Sequence, residues 1–353
     1  MEFMDNLPTI LDVTLRDGSY AVDFQFTADD TRNICGELDE AGFALIEVGH
    51  GVGLGASSVA GLGKAAETDE AYLKAASESV RRAKWGMFCI PGIARLEDVD
   101  LAADHGMGFI RIGTNVTAVE KSEPFIARAK RHGMQVHANL MKSYTLEPKE
   151  FAKKAKLSQS FGSDLVCIVD SAGGMVPGEV EQYFGEVRAV SDVPLGFHGH
   201  NNLQLAVANS MRAAELGAVA VDTSLRGFGR SAGNTPTEVF LAAMERAGRP
   251  LGFDLLRVID LGERLIKPLM TDHRYDSMDV VVGFAQFHSS FAPLVHECAA
   301  KYGVDERRLI MAVCARDKVN PSRELVEEVA AGLCVEDPIV ADAARAANMV
   351  WSS

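Results

Sequence analysis

Two segments of the chain carry the residue types of a divalent-cation site. Phe197-His198-Gly199-His200-Asn201-Asn202 sets two imidazoles two residues apart, and on a β-strand residues i and i+2 project to one face. Asp12-Val13-Thr14-Leu15-Arg16-Asp17-Gly18 supplies a carboxylate, Asp17, beside a guanidinium, Arg16. Two imidazoles and one carboxylate leave coordination positions for water or substrate, which is the pattern of a catalytic ion and not of a structural one. Each segment alone has an ordinary reading as well. Neighbouring Arg and Asp usually form a solvated pair, and an H-x-H pair is about as often a core or capping element as a ligand pair. The chemical reading needs a fold that brings the two segments together.

Three further loops have chemical potential. Asp222-Thr223-Ser224-Leu225-Arg226-Gly227-Phe228-Gly229-Arg230-Ser231-Ala232-Gly233-Asn234 could turn backbone N–H groups toward an anion, or serve only as a glycine hinge. Asp170-Ser171-Ala172-Gly173-Gly174 places the Ser171 hydroxyl where it could reach a substrate carboxylate or cap the strand end. Gly51-Val52-Gly53-Leu54-Gly55-Ala56 lacks the third glycine of a dinucleotide-binding turn, so a mobile lid is expected there instead.

The elements that must position these residues follow from periodicity. Short β-branched runs begin near Pro8, Ala44, Lys84, Gly108, Met134, Asp164, Pro194 and Ala218, each followed by a helix-like segment. Several of those helices stop at a glycine, as in DEAGF (39–43), DHGMG (104–108), KRHGM (130–134) and ELGAV (215–219). Eight βα units over about 250 residues predict a (β/α)₈ TIM barrel, whose chemistry sits at the C-terminal ends of the strands; a doubly wound open sheet is the alternative. In a closed barrel the first and seventh strands are separated only by the eighth, so Asp17, His198 and His200 can converge. After Gly248 the composition turns helical, which divides the chain into a barrel domain, 1–270, and a helical C-terminal domain, 271–353.

Composition narrows the function classes. The 353 residues are 47% apolar and 24% charged, an ordinary globular balance. A net charge of −14 disfavours nucleic acid and anionic membrane surfaces. No stretch reaches the roughly 18 apolar residues of a membrane span, and the start at Met1–Asn6 carries Glu2 and Asp5 instead of a basic export signal. Six cysteines without a C-x-x-C pair read as buried thiols of a reducing cytoplasm.

LDVTLRDG, FHGHNNLQLAVANS, VDSAG and GNTPTEVF together resemble the pyruvate aldolases of the HMG-CoA lyase-like metallolyase superfamily, the 4-hydroxy-2-oxovalerate aldolase family. The resemblance implies a (β/α)₈ barrel with a helical communication domain and a metal, Mn²⁺ first with Mg²⁺, Co²⁺ or Zn²⁺ as alternatives, on Asp17, His198 and His200. It implies cleavage of a 4-hydroxy-2-oxo acid to pyruvate and an aldehyde, with Arg16 steadying the enolate. It also implies an acylating aldehyde dehydrogenase as a partner on the tail from about Asp279, where a homodimer is equally open.

The chain departs from the family at the proton-transfer positions. The family places a histidine shortly after the R-D-G and a tyrosine in the segment matching Gly283 to Phe291, whereas here Tyr20 and His288 stand in the reverse arrangement. His288 is expected to become the base, because an unperturbed imidazole titrates near neutrality and a phenol does not. Phe88 and Ile90 are the expected walls of the aldehyde pocket. Three other readings stay open: a Claisen-type synthase joining a 2-oxo acid to an acyl-CoA, a ferrous oxygenase built on the two-histidine, one-carboxylate triad, and a non-catalytic partner protein.

Overall fold

The computed structural model describes residues 7–270 and 277–336. The expected domain boundary at 270/271 abuts residues 271–276, which lie outside the described residues together with the N-terminal Met1–Asn6 and the tail from 337 onward.

Eight short strands close into a parallel barrel in sequence order. They are β1 (Thr9–Asp12), β2 (Leu45–Val48), β3 (Lys84–Cys89), β4 (Phe109–Asn115), β5 (Gln135–Met141), β6 (Leu165–Asp170), β7 (Leu195–Gly199) and β8 (Ala220–Thr223). Every strand run expected from the sequence is present, and β1 pairs with both β2 and β8, which excludes the open sheet. Helices α1 (Ala28–Glu40), α2 (Asp69–Ser79), α3 (Leu96–Asp104), α4 (Glu123–Arg131), α5 (Pro148–Ser160), α6 (Pro177–Arg188), α7 (Ala206–Glu215) and α8 (Thr237–Arg246) alternate with the strands. The glycine stops behave as expected: Gly42, Gly106, Gly133 and Gly217 all have positive φ, a conformation that costs glycine nothing.

Strand parity sorts the core into two layers. One set of positions, including Ile10, Ile46, Met87, Ile110, Val136, Ile168, Phe197 and Val221, packs under the helices. The alternate set fills the barrel interior: Leu11, Val13, Leu45 and Phe109 form one small apolar cluster, and Leu165, Cys167, Val169 and Ala220 another. The same alternate parity carries Glu47, Arg111, Asn139, His198 and Asp222, all buried. Arg111 is 1% exposed and is among the largest fully buried side chains of the molecule.

Past α8 the chain continues through α9 (Leu255–Leu261), then α10 (Ser277–Ala285), α11 (Ala292–Tyr302), α12 (Glu306–Arg316) and α13 (Arg323–Glu336). Helices α10 to α13 share a second core built on Val282, Phe287, Val295, Leu309, Val313 and Val326, separate from the barrel's. This unit leans on the C-terminal face of the barrel. A Cβ on Gly174 would collide with the Gly283 carbonyl, Asn202 Nδ2 donates to the Asp279 carbonyl at 3.4 Å, and Lys142 Nζ donates to the Val319 carbonyl at 3.2 Å. All six thiols are free; Cys35, Cys89, Cys167 and Cys298 are buried as expected, whereas Cys314 and Cys334 are half-exposed.

Candidate active site

Asp17, His198 and His200 come together at the C-terminal mouth of the barrel, with one ligand atom from each lying within 4.8 Å of the others. Asp17 opens a 3₁₀ turn (Asp17–Val22) just beyond β1, and its N–H returns to the Val13 carbonyl at 2.8 Å. His198 belongs to β7, and His200 follows it through a bridge to Asn234. The loop after β8 closes over them. Its Gly229 is required there, because a Cβ would meet Asp17 Oδ2 and the Asn234 side chain.

The donor set suits a divalent cation. His198 Nδ1 lies 2.9 Å from Asp222 Oδ2 and His200 Nδ1 lies 3.2 Å from the Gly233 carbonyl. An Nδ1–H facing an oxygen acceptor directs the Nε2 lone pair toward an ion, the usual arrangement behind a metal-ligating histidine; on His200 that lone pair accepts from Arg230 Nη2 at 2.9 Å in this structure. Burial, Arg230 and His198 together hold His200 well below the ordinary imidazole range, so it is neutral. Burial alone would raise Asp17, but Arg16, the two histidines and Arg230 outweigh it and keep the carboxylate ionised.

Below the mouth lies a buried ionic lattice. Arg16 Nε donates to Glu47 Oε2 and its Nη1 to Asp17 Oδ1, both at 2.7 Å. Arg111 donates to the same Glu47 oxygen at 2.7 Å, to Asp222, and to Asn139 Oδ1 at 3.2 Å. The chain Asp17, Arg16, Glu47, Arg111, Asp222, His198 therefore links one metal-ligand candidate to another. Phe88 stacks under the Arg16 guanidinium, 4.7 Å from ring centroid to Cζ. It thus walls the cleft and also fixes Arg16.

The cleft above encloses about 610 Å³ and is lined by the expected residues Arg16, Asp17, Tyr20, Phe88, Ile90, Ser171, His198, His200 and His288. The structure also adds Asn139, Lys142 and Arg230. Tyr20 and His288, remote in sequence, both face this space. Burial raises the Tyr20 phenol, so it stays protonated. Burial, Arg230 and Lys142 push His288 well below the ordinary imidazole range. Its Nδ1 meets the Ser290 hydroxyl at 2.7 Å and the Ser290 N–H at 3.2 Å. Ser171 Oγ accepts the Lys142 N–H at 3.0 Å, leaving its own proton free to donate. The loop after β8 spends a backbone N–H on the protein itself, from Arg230 to Asp17 Oδ2 at 3.3 Å, so it builds the metal-ligand cluster. The glycine segment expected to be a lid is packed down: Gly51 to Leu54 and Ala56 are buried, Gly51 against Tyr20 and Gly53 against the Phe88 backbone. Gly55 and Ser57 are half-buried, and exposure is concentrated at residues 58–61, 63 and 64.

Glu47, Arg111, Asp222, Asn139, Lys142 and Arg230 were not singled out from the sequence. For the first three a signal existed, since a charge in the middle of LIEV, FIRIG or VDT must be buried and paired.

A closed (β/α)₈ barrel with a two-histidine, one-carboxylate cluster at its C-terminal mouth defines a barrel enzyme of the metal-site type, and the chain belongs to the HMGL-like family, whose model matches residues 7–265. A 4-hydroxy-2-oxovalerate aldolase of Pelotomaculum thermopropionicum is 40% identical over 321 residues, 91% of this chain and 94% of that protein. One of Moorella thermoacetica is 39% identical over 324 residues, 91% of this chain and 95% of that protein. In fold, the carboxyl transferase domain of Rhizobium etli pyruvate carboxylase superposes with a TM-score of 0.76 at 17% identity, covering 94% of this chain and 61% of the other. Among the described residues no helix is long and apolar enough to cross a membrane.

Proposed function

We propose that the chain is a divalent-metal-dependent aldolase that cleaves or forms a 4-hydroxy-2-oxo acid, giving pyruvate and an aldehyde. The convergence of Asp17, His198 and His200 beside the fixed guanidinium of Arg16 carries this reading. A cation held by those three residues, Mn²⁺ first and Mg²⁺, Co²⁺ or Zn²⁺ as alternatives, supplies Lewis acidity toward a 2-oxo group.

The chain's own residues do the rest. Arg16, immobilised by Glu47, Asp17 and the Phe88 ring, is preorganised to hydrogen-bond the oxygen that gains charge when the bond between C3 and C4 breaks and its electrons form the pyruvate enolate. Ser171 Oγ–H is free to donate to the substrate carboxylate. Tyr20 and His288 serve the 4-oxygen. Nδ1 of His288 accepts the Ser290 N–H, which places the ring proton on Nε2 in this structure; taking the 4-hydroxyl proton at Nε2 requires the other tautomer, in which Nδ1–H donates to the Ser290 hydroxyl and the Ser290 N–H bond is given up. The depressed basicity of His288 keeps the ring neutral, as a base must be. Tyr20, protonated, donates to the same oxygen. Phe88 and Ile90 bound the space for the aldehyde.

The separate cores support a barrel domain, 1–270, and a helical domain, 271–353. An acylating aldehyde dehydrogenase or a second copy would meet the chain on the helices, where Phe284 is 69% exposed. Free thiols support a cytoplasmic setting.

Exchange of the pyruvate methyl protons in heavy water, followed by mass spectrometry, tests the enolate chemistry without a choice of aldehyde. Metal-dependent exchange is expected, falling by about a thousandfold or more in Asp17→Asn, since an acyclic metal-free enolisation loses the dominant electrostatic stabilisation. Exchange that ignores both metal and the substitution sinks the proposal.

A further inference from the structure

Four charged side chains line the cleft: three cations, Arg16, Lys142 and Arg230, and a single carboxylate, Asp17. Arg16 is neutralised by Glu47 and Asp17. Lys142 and Arg230 have no carboxylate at ion-pair distance among the described residues. What holds them is neutral. Lys142 Nζ rests on the Val319 carbonyl and over the Phe291 ring at 4.5 Å. The Arg230 guanidinium donates to Ser289 Oγ, to the Ser171 carbonyl at 3.2 Å and to His200 Nε2 at 2.9 Å. Carbonyls, a hydroxyl and a ring fix positions without cancelling charge, so two positive charges stand unmatched beside the cleft of a strongly acidic chain.

Their placement says which part of a substrate they would meet. Lys142 comes from the end of β5 and Arg230 from the loop after β8, yet both dock on one short stretch of the helical unit, at Phe291 and Ser289. His288, assigned above to the oxygen of the departing aldehyde, belongs to that same stretch. The two cations therefore bridge the two halves: Lys142 N–H and the Arg230 guanidinium touch Ser171, on the pyruvate side, while their side chains reach the stretch that carries His288 on the aldehyde side. Lys142 also sits at φ 56°, a left-handed backbone that a lysine adopts only where its surroundings impose it. Burial first, and the nearby Arg230 second, bring Lys142 down to about 8 despite Asp317. A divalent ion on Asp17, His198 and His200 would claim the His200 lone pair that now accepts from Arg230, releasing one more N–H toward the cleft.

We infer that Lys142 and Arg230 form an anion subsite for a second negative group, a carboxylate or a phosphate carried on the aldehyde half, so that this chain acts on 4-hydroxy-2-oxo acids that bear a second anionic group. The inference rests on the aldolase reading for the word aldehyde and on the charge geometry alone for the subsite.

The test compares ligands of one and two negative charges on the Mn²⁺-loaded full chain. Calorimetry with 2-oxoglutarate against 2-oxobutyrate needs no turnover, and one or two new charge-assisted hydrogen bonds should make the dianion bind about ten- to hundredfold tighter. Lys142→Met and Arg230→Gln should each remove most of that preference, and Lys142→Arg should keep it, which a purely structural tether would not require. Condensation with pyruvate then separates the two anions: succinic semialdehyde probes the carboxylate, glyceraldehyde 3-phosphate the phosphate, and butanal is the neutral control, with kcat/KM read for each. Equal affinity for the two 2-oxo acids, or a preference that survives both charge-removing variants, overturns the subsite. Pyruvate proton exchange in the same preparations keeps the failures apart. Intact exchange without an anion preference rejects the subsite alone, and absent exchange rejects the aldolase reading while the calorimetric comparison still decides the subsite.

Discussion

The barrel interior and the rim of its cleft treat charge in opposite ways. In the interior, Arg111 is matched by Glu47 and Asp222, and Arg16 by Glu47 and Asp17, with every charge buried. At the rim, Lys142 and Arg230 are held by carbonyls, a hydroxyl and an aromatic ring. A buried charge without a partner costs several kcal/mol, so the interior lattice must close on itself before anything binds. At the rim the half-exposed Arg230 borders the open cleft, and Lys142, as buried as Arg16, is brought down to about 8 instead of being matched by a carboxylate. Closed charges position the reacting groups; open ones select what enters.

The largest effect should come from opening the closed region. Arg111→Met leaves Glu47 with Arg16 alone and Asp222 with His198 alone in the barrel core, and unfolding in urea should show a loss of about 3–5 kcal/mol, the cost of removing one partner of a buried pair. Lys142→Met, by contrast, should cost little stability in the same assay. Equal losses would mean that Lys142 is as structural as Arg111 and would erase the distinction drawn between the two regions.

Next in size is the proton-transfer position. His288→Ala should lower the cleavage rate by about a hundredfold or more while leaving pyruvate proton exchange nearly intact, because exchange needs no proton at the 4-oxygen. Loss of both activities in parallel would place His288 in the enolate chemistry instead. The neutral His288 also predicts that the acid limb of cleavage falls below the ordinary histidine range, since only there does the ring become charged and lose its capacity as a base.

The smallest effect sharpens the rim itself. Lys142 is cationic below about 8 and neutral above it. Preference for the dianionic ligand should therefore weaken as pH rises through that value, with Arg230 retaining a residual share. Binding measured between pH 7 and 9 reads this directly, and a preference that grows with pH would exclude Lys142 as its source.

Much of this was legible in the residues. Alternating apolar runs mark all eight strands, and glycines at 42, 106, 133 and 217 mark helix ends, because backbone periodicity and left-handed caps are local properties. The H-x-H spacing and Asp17 at a strand end point to one mouth once eight βα units imply closure. The lid was misread for a local reason: glycines at 51, 53 and 55 suggested freedom, whereas Gly51 and Gly53 serve close packing against Tyr20 and the Phe88 backbone.

The sequence by itself thus determined the barrel, its length of chain and the three metal-ligand candidates, since each rests on spacing within one or two elements. Only the tertiary structure decided that Tyr20 and His288 share a cleft, that Glu47, Arg111 and Asp222 form a lattice behind His198, and that Lys142 and Arg230 meet no carboxylate at ion-pair distance among the described residues. The physical reason is reach. A long cationic side chain can find a partner several ångströms away on any element that folds beside it, so whether its charge is closed or open is a property of the assembled surroundings and of no segment alone.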